Sequence, residues 1–289
     1  MPRFTVILPT HNRADVLPFA IRSVLAQTVA DFELLVAGDG CTDSTAAVVQ
    51  SFGDDRIRWL ELPKAPHFGY ANRNVALRQA RGELIAYMAH DDLWLPDHLE
   101  ILGRALDEDG VDLAYSLLLL VSTRGVVTPK IQNLNERALL QKMCRGLRRG
   151  LGISCVAHRR DALERFGYWD EAIPRAGDTE LWCRIINGGG RFTYVPVPTA
   201  LHFVAAWRKA TWRYRLFVAV CLLEGSLPPE LRFSIPDGMS EQETLWRHLS
   251  GDLRTRTRDL RRAVQLHLDR RVSAPYLSNV LALLNDLLR

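Results

Sequence analysis

Three groups of polar residues, each directly after an apolar segment, have the types and spacing needed to bind phosphates and a metal ion. They are Thr10-His11-Asn12-Arg13, Asp39 and Asp91-Asp92. Adjacent carboxylates form a hard oxygen site that suits Mg²⁺ or Mn²⁺, and an ion held there can bridge phosphate oxygens. Arg73, in a predicted helix that precedes the Asp pair, could hold the same phosphates with its bidentate guanidinium.

Each group also has a purely structural interpretation. Asp39 could shape a turn beside Gly40, the Asp pair could cap the helix that opens at Pro96, and Arg73 could be a solvated helix residue. Their joint position favours function, because ligands of open parallel sheets bind beyond the carboxyl ends of the strands.

The elements that must position these groups alternate between strands and helices. Strands are predicted at Phe4–Leu8, Phe32–Val36, Ile57–Leu62, Glu83–Met88 and Leu113–Val121. Helices are predicted from Asp15, from Thr42 or Asp43 to about Phe52, at Tyr70–Ala80, and from Pro96 to about Leu106. This alternation indicates an α/β fold with a mainly parallel sheet.

The second half of the chain is less regular. Ile153–His158 and Phe192–Val195 are predicted strands, and Arg160–Phe166 and Thr179–Ile186 are predicted helices. Beyond about residue 207 the strand signals stop, and helices are predicted from Glu241 to about Arg271 and from Ala274 to Leu288.

Composition limits the function classes. The 289 residues include 37 Lys+Arg and 33 Asp+Glu, a net charge of +4, and 47% are hydrophobic, as in an ordinary globular protein. So small a basic excess does not favour nucleic acid as a partner. The five cysteines are scattered without a CxxC pair, which predicts neither a disulfide framework nor a structural zinc site.

The N-terminal segment MPRFTVILPTHNR is interpreted as a first strand, since it lacks a cleavage site for a signal peptidase. The longest apolar runs, Leu117–Val121 and Leu216–Leu223, are shorter than the ~20 residues of a membrane span. We therefore expect a cytoplasmic protein, either free or peripheral on the inner face of the cell membrane.

Several segments together resemble family 2 glycosyltransferases. Val6–Arg13, Ser23–Thr28 and Asp31–Val36 are similar to the opening of that family, and Ala37–Thr45 is similar to its nucleotide-contacting loop. Arg73-Asn74, Ala80–Glu83 and Asp91–Asp97 resemble the rest of the donor half. Phe166–Glu171 and Gly177–Arg184 resemble the acceptor half with its catalytic Asp. The resemblance extends from about residue 3 to residue 205.

The resemblance implies a GT-A fold, a Rossmann-like mixed and mainly parallel sheet with helices on both faces, followed by an α-helical C-terminal extension. The implied catalytic domain is 1–206, with a donor nucleotide-binding half at 1–110 and an acceptor half at 111–206. The extension is 207–289.

The resemblance also implies the reaction, an inverting transfer of one sugar from a nucleoside diphosphate sugar to a hydroxyl of a glycan, glycolipid or other acceptor. UDP is the default nucleotide, with GDP and dTDP as alternatives, and the implied cofactor is Mn²⁺ or Mg²⁺. Asp178 is the implied general base, Asp92 and Asp91 the metal ligands, and Trp169 and Asp170 the acceptor residues. Trp169 could stack on an acceptor sugar, and a core position is its alternative. The implied donor-nucleotide residues are Thr10, Asn12, Arg13, Asp39, Arg73 and Asp91. His202 is a further candidate ligand of the metal or the diphosphate, with a structural hydrogen-bonding role as its alternative.

Three positions depart from the family pattern, because Gly38, Ala89 and Gly177 stand where that family often has a carboxylate. These departures keep open a non-catalytic sugar-nucleotide or glycan-binding protein. A sugar nucleotidyltransferase is the third hypothesis. Such enzymes resemble chains with a glycine-rich, basic loop directly after the first strand, whereas the loop Pro9–Arg13 contains no glycine.

The predicted helix after Glu241 is basic and amphipathic. An apolar stripe is formed by Leu245, Leu249, Leu253, Leu260, Val264 and Leu268, and eight arginines flank it. Such a helix could lie on anionic lipid and bring the protein to a lipid-linked acceptor. The alternative is a helix that packs on the catalytic domain with a solvated outer face.

Overall fold

The structure is a computed structural model that describes residues 1–146, 150–203 and 231–271. Its strands are β1 (Phe4–Thr10), β2 (Phe32–Asp39), β3 (Ile57–Leu62), β4 (Leu84–Tyr87), β5 (Leu93–Trp94), β6 (Val111–Val121), β7 (Val127–Lys130), β8 (Val156–Arg159) and β9 (Arg191–Phe203). Its helices are α1 (Leu17–Leu25), α2 (Thr45–Gln50), α3 (Tyr70–Arg78), α4 (His98–Leu106), α5 (Arg137–Gly146), α6 (Asp161–Phe166), α7 (Gly177–Asn187), α8 (Glu241–Ser250) and α9 (Leu253–Arg271).

The strands form a mixed sheet in the order β3-β2-β1-β4-β8-β6-β9-β5, and β7 pairs with β6. The first four strands in this order are parallel, whereas β8 is antiparallel to both β4 and β6, and β5 is antiparallel to β9. The α/β fold predicted from the alternating pattern is confirmed. The parallel half also brings the carboxyl ends of β1, β2 and β4 to one edge of the sheet.

The core of this sheet comes from strands that are buried along almost their whole length. Every residue of β2 is buried, and in β1 only Pro9 is partly exposed. Such continuous apolar runs are typical of parallel strands covered on both faces. Both strands extend beyond the predicted ends, so Asp39 is the last residue of β2 and Thr10 the last of β1.

Strand β9 is longer than predicted, because it continues through Pro196 and Pro198 to Phe203. Its partner β5 has only two residues, which pair with Ala200 and Leu201. The prolines therefore lie on a stretch of β9 that β5 does not reach, an edge position where a missing N–H is tolerated. The strand predicted at Ile153–His158 begins instead as a 3₁₀ turn, Ile153–Cys155.

The chain divides into two compact units. The first comprises Met1–Leu118 and Lys130–His202, and the second comprises Leu119–Pro129 with the described residues from Phe203 onward. The predicted boundary at 206/207 falls outside the described residues, as does the predicted helix Ala274–Leu288, so the division into 1–206 and 207–289 stays a prediction.

The second unit contains two helices where one was predicted. Helix α8 begins at a capping residue, Ser240, whose hydroxyl accepts the Glu243 N–H at 3.0 Å. The predicted helix is interrupted at Gly251-Asp252, and the Asp252 carboxylate accepts the Thr255 N–H at 3.1 Å, which starts α9. Four residues of the predicted apolar stripe, Leu245, Leu249, Leu260 and Val264, are buried. Most of the stripe is therefore buried, and the choice between the two interpretations of this helix stays a prediction.

No helix within the described ranges is both long enough and apolar enough to cross a membrane.

Candidate functional site

Asn12 joins the loop after β1 to the loop after β2. Its side-chain oxygen accepts the Thr42 N–H at 2.8 Å and the Asp43 N–H at 3.3 Å, and its amide nitrogen donates to Thr42 Oγ1 at 3.1 Å. Its φ of 50° is left-handed, a conformation that asparagine adopts more readily than most residues. The next residue, Arg13, donates its backbone N–H to Thr45 Oγ1 at 3.0 Å, and its side chain pairs with Asp15.

Asp39 is 6% exposed, and protein donors surround its carboxylate. Oδ1 accepts the Ala65 N–H at 2.8 Å and the Asn72 side-chain amide at 2.7 Å, and Oδ2 pairs with the ammonium of Lys64. Gly69 passes so close that a Cβ there would lie 2.9 Å from Asp39 Oδ2, which together with its φ of 70° requires glycine. The carboxylate is thus held in one orientation at the end of β2.

Gly38 is a glycine because an indole ring covers it. A Cβ at Gly38 would lie 2.3 and 2.5 Å from two ring atoms of Trp59. Thr10 is aligned with Gly38 across the strand pair and is 2% exposed. Thr10 Oγ1 and Trp59 Nε1 are buried without a hydrogen-bond partner in the described part of the chain. Buried polar atoms without a partner are uncommon in folded proteins.

Asp92 follows β4 and is 1% exposed. Its Oδ2 accepts the hydroxyl of Ser154 at 2.5 Å, and its Oδ1 lies 2.9 Å from Nδ1 of His202, the penultimate residue of β9. Burial lowers the pKa of His202, but the charge of Asp92 outweighs this effect and the pKa is raised overall. The half-buried Asp91 has a raised pKa, first because of burial and then because of the like charge of Asp92.

The donor types at this position fit a divalent metal ion. Asp91 and Asp92 offer hard oxygens, His202 offers an imidazole nitrogen, and the repulsion that raises the pKa of Asp91 is one that a cation would relieve. Among the described residues no group of three or more His, Cys, Asp or Glu side chains is already arranged to hold a metal. The ligand types are therefore present, while Asp92 is engaged with Ser154 and His202.

Asp178 lies in the first turn of α7 and is half-buried, with its Oδ1 accepting the Thr179 N–H at 2.8 Å. The residue before it, Gly177, packs against the Tyr70 ring, so that a Cβ there would lie 2.6 Å from the ring. The Tyr70 hydroxyl accepts the Gly177 N–H at 3.0 Å. The departures from the family pattern at positions 38 and 177 thus have one physical cause, an aromatic ring in the space of the expected carboxylate.

Arg73 connects the two sides of the site. Its guanidinium carbon lies 5.1 Å from the Tyr70 ring centre and 4.9 Å from the Trp169 ring centre, within cation–π distance of both. Burial lowers its pKa, while the negative charges of Asp178 and Asp39 favour the cation. One arginine therefore interacts electrostatically with both Asp178 and Asp39.

Of the two interpretations of Trp169, the structure favours the core position. Its ring is 2% exposed, stacks on Tyr70 at 5.4 Å and meets Tyr87 and Trp182 edge to face. Such a ring is a core residue and cannot stack on an acceptor sugar. Asp170 beside it is exposed, and its carboxylate accepts the Ala172 N–H at 2.9 Å, which shapes a turn.

Sequence reasoning missed Ser154, Tyr70, Trp59, Lys64 and Lys130. The rarity of lysine could have drawn attention to the last two, since only four of the 37 basic residues in the chain are lysines. Lys64 pairs with Asp39, and Lys130 lies within electrostatic reach of Asp178.

Comparisons with known proteins agree with this architecture. Residues 5–167 match the family described as glycosyl transferase family 2. The Escherichia coli protein "UDP-Glc:alpha-D-GlcNAc-diphosphoundecaprenol beta-1,3-glucosyltransferase WfgD" is 30% identical over 185 residues, 63% of this chain and 69% of that protein. The Campylobacter jejuni "GalNAc(5)-diNAcBac-PP-undecaprenol beta-1,3-glucosyltransferase" is 36% identical over 110 residues, 37% of this chain and 36% of that protein.

Solved structures support the fold. Staphylococcus aureus TarS in complex with UDP-GlcNAc has a TM-score of 0.59 at 17% identity, covering 96% of this chain and 78% of the other. The Pyrobaculum calidifontis mannosyltransferase PcManGT, in complex with GDP-Man and Mn²⁺, has a TM-score of 0.58 at 19% identity, covering 99% and 80%. Both are GT-A structures, so the predicted fold class is confirmed.

Proposed function

Because the chain belongs to glycosyltransferase family 2 and is a glycosyltransferase, we propose that it transfers a sugar, with inversion, from a UDP-sugar to a hydroxyl of a lipid-linked glycan. The observation that carries this proposal is the contact of Arg73 with the ring of Tyr70, whose hydroxyl accepts the N–H of Gly177 next to Asp178, together with the negative charges of Asp178 and Asp39 that favour the Arg73 cation. The acceptor class is supported by two relatives whose names specify diphosphate-linked undecaprenol acceptors.

Asp178 is the general base in this proposal. Its carboxylate takes the proton of the acceptor hydroxyl while that oxygen attacks the anomeric carbon from the face opposite the diphosphate. One carbon–oxygen bond forms, the bond from the anomeric carbon to the diphosphate oxygen breaks, and the configuration inverts. A single displacement needs one carboxylate, which agrees with a site where Gly177 replaces the second acidic residue.

The donor half supplies fixed polar groups. We assign the nucleoside to the space bordered by Thr10, Asn12, Arg13 and Asp39, where Thr10 Oγ1 is buried without a partner in the described residues. Asp91 faces the ribose and the donor sugar in this assignment, and Arg73 stabilises the negative charge that builds on the departing diphosphate.

Asp92 and Asp91 would hold the divalent ion, with His202 as a third donor. When bound, such an ion neutralises charge on the diphosphate. The Ser154 hydroxyl donates a hydrogen bond to the Asp92 carboxylate at 2.5 Å and so fixes its orientation.

Because the lipid of a lipid-linked acceptor lies in a membrane, the proposed transfer takes place at the membrane surface. Four of the six stripe residues of α8 and α9 are buried, so we assign any lipid contact to exposed arginines such as Arg254, Arg258 and Arg262. Basic side chains of this kind are attracted to anionic headgroups, each by ~1 kcal/mol.

Calorimetric titration of UDP, GDP and dTDP, each with and without Mn²⁺, tests the donor assignment. We expect one nucleotide to bind in a metal-dependent way to the wild type and to Asp107→Asn, a surface control. The same nucleotide should lose most of its affinity for Asp92→Asn. Absence of binding to all three nucleotides would contradict the donor site.

A further inference from the structure

Tyr70, the first residue of α3, has a hydroxyl whose hydrogen-bond donor is unused. Its oxygen accepts the Gly177 N–H at 3.0 Å, and within the described ranges no atom accepts the hydroxyl proton in return. A phenol can both accept and donate, so the donor is available to a ligand. Burial raises the pKa of Tyr70, which keeps the hydroxyl protonated at neutral pH.

The packing of the Tyr70 ring holds this hydroxyl in one place. The ring stacks on Trp169 with the two ring centres 5.4 Å apart, and the guanidinium carbon of Arg73 lies 5.1 Å from its centre. At the other end, a Cβ on Gly177 would lie 2.6 Å from the ring carbon that carries the hydroxyl. A donor fixed in this way is preorganised and loses little freedom when it binds a ligand.

The proposed base is the residue that follows Gly177. Asp178 is half-buried, and one hydrogen bond from the described residues reaches its carboxylate, from the Thr179 N–H to Oδ1 at 2.8 Å. Its Oδ2 is left to accept a proton or a hydrogen bond. A free donor on Tyr70 and a free acceptor on Asp178 therefore both lie next to Gly177.

This part of the first unit is open to solvent. Phe68 is 59% exposed and its ring centre lies 6.3 Å from that of Tyr70, so the aromatic row Phe68, Tyr70 and Trp169 runs from the surface into the core. Pro174 and Arg175, in the loop before α7, are exposed as well. A ligand that approaches the half-buried Asp178 from solvent therefore comes close to the Tyr70 hydroxyl.

We propose that Tyr70 is a further substrate-binding residue, whose hydroxyl donates a hydrogen bond to an acceptor-sugar oxygen beside the one that Asp178 deprotonates. This inference rests on the proposed function and deepens it. Adjacent hydroxyls of a sugar ring present an oxygen and an O–H along one edge, which matches the donor of Tyr70 and the acceptor of Asp178. A site built for a sugar hydroxyl discriminates against an analogue that lacks it, because the donor of the site is then left unpaired.

Two tyrosine variants separate a role in binding from a role in packing. Tyr70→Phe removes the hydroxyl and keeps the ring on Trp169. Tyr115→Phe is the matched control, because the Tyr115 hydroxyl also accepts a backbone N–H, that of Leu134 at 2.8 Å, and its ring is stacked on Tyr194. Both variants lose the same kind of hydrogen bond to the backbone. Circular dichroism and urea denaturation establish that both are folded.

Calorimetry in the presence of UDP then measures the binding of an undecyl-diphosphate-linked N-acetylglucosamine and of its three monodeoxy analogues, each of which lacks one hydroxyl. We expect the wild type and Tyr115→Phe to bind at least one analogue about 3- to 10-fold more weakly than the parent sugar, the effect of one lost hydrogen bond. Tyr70→Phe should lose the discrimination against one such analogue, and bind it and the parent within twofold of each other.

Two results would overturn the inference while leaving the proposed function standing. One is a wild type that binds the parent sugar and discriminates against none of the analogues, a result that needs no variant. The other is a Tyr70→Phe variant that discriminates against the same analogues by the same factors as the wild type, which would mean that the hydroxyl acts only on Gly177 and Asp178. A wild type that binds no acceptor of this class would instead overturn the lipid-linked acceptor of the proposed function together with this inference.

Discussion

Replacing Gly177 with alanine tests the contact between Tyr70 and the helix that carries Asp178. The added Cβ would lie 2.6, 2.8 and 3.0 Å from three atoms of the Tyr70 ring. Carbon atoms in contact are ordinarily about 3.5–4.0 Å apart, so the overlap is about 1 Å. Tyr70 is 4% exposed and stacked on Trp169, which leaves the ring no room to move away.

Overpacking of this kind costs 1–3 kcal/mol, and we expect Gly177→Ala to lower the free energy of unfolding by about 2 kcal/mol. Relief of the overlap by a shift of α7 would move Asp178 by up to about 1 Å, which can lower kcat by about 100-fold. Urea denaturation followed by circular dichroism measures the first effect, and a transfer assay measures the second.

A double-mutant cycle with Tyr70→Leu shows whether the ring is the cause. Gly177→Ala should cost less by about 1–2 kcal/mol in the Tyr70→Leu background than in the wild type. Gly251→Ala is the matched control, because a Cβ there has no neighbour closer than 3.9 Å. If Gly177→Ala is as stable as the wild type, or if Tyr70→Leu leaves its cost unchanged, the proposed contact is wrong.

Two further predictions concern stability. Burial lowers the pKa of His98 to about 3 and that of His158 to about 4, so between pH 7 and pH 5 the unfolded chain gains protons that the folded state does not. Each histidine should then lower the free energy of unfolding by about 2 kcal/mol between pH 7 and pH 5. Urea denaturation at both pH values should show a smaller loss of this free energy for the double variant His98→Gln/His158→Gln than for the wild type. Equal losses would refute this. Glu33 is 3% exposed and accepts hydrogen bonds from Thr5 and Arg81, which outweigh burial and lower its pKa. Glu33→Gln should cost about 1–3 kcal/mol at pH 7. That cost should diminish in acid, as the Glu33 carboxyl of the wild type becomes protonated. A cost that is independent of pH would contradict a stabilising role for the negative charge of Glu33.

The parallel half of the fold was predictable because its signals are local. Apolar runs such as Phe32–Val36 and the helical spacing after Tyr70 each specify an element without help from distant residues. Strand β9 was predicted too short because Pro196 and Pro198 normally end a strand. What allows them here is the two-residue length of β5, which depends on tertiary structure.

The positions of candidate site residues were predictable where a polar residue follows a predicted strand, as at Asp39 and Asp92. Its environment was not predictable, because contacts such as Ser154 with Asp92 join residues 62 positions apart. The same limit explains Trp169, whose burial under Tyr70 cannot be read from its neighbours in sequence. Gly38 and Gly177 look like lost carboxylates in the sequence and become packing positions only in the structure.

The central claim is that Asp178 is the base of an inverting transfer. The most direct measurement is the transfer rate and product configuration with α-linked UDP-glucose and a diphosphate-lipid-linked N-acetylglucosamine, in the wild type, Asp178→Asn and the exposed control Asp55→Asn. The account predicts a β-linked product and a kcat lower by about 10²- to 10⁴-fold in Asp178→Asn, with Asp55→Asn within a few-fold of the wild type. An α-linked product, or an Asp178→Asn variant as active as the wild type, would contradict it.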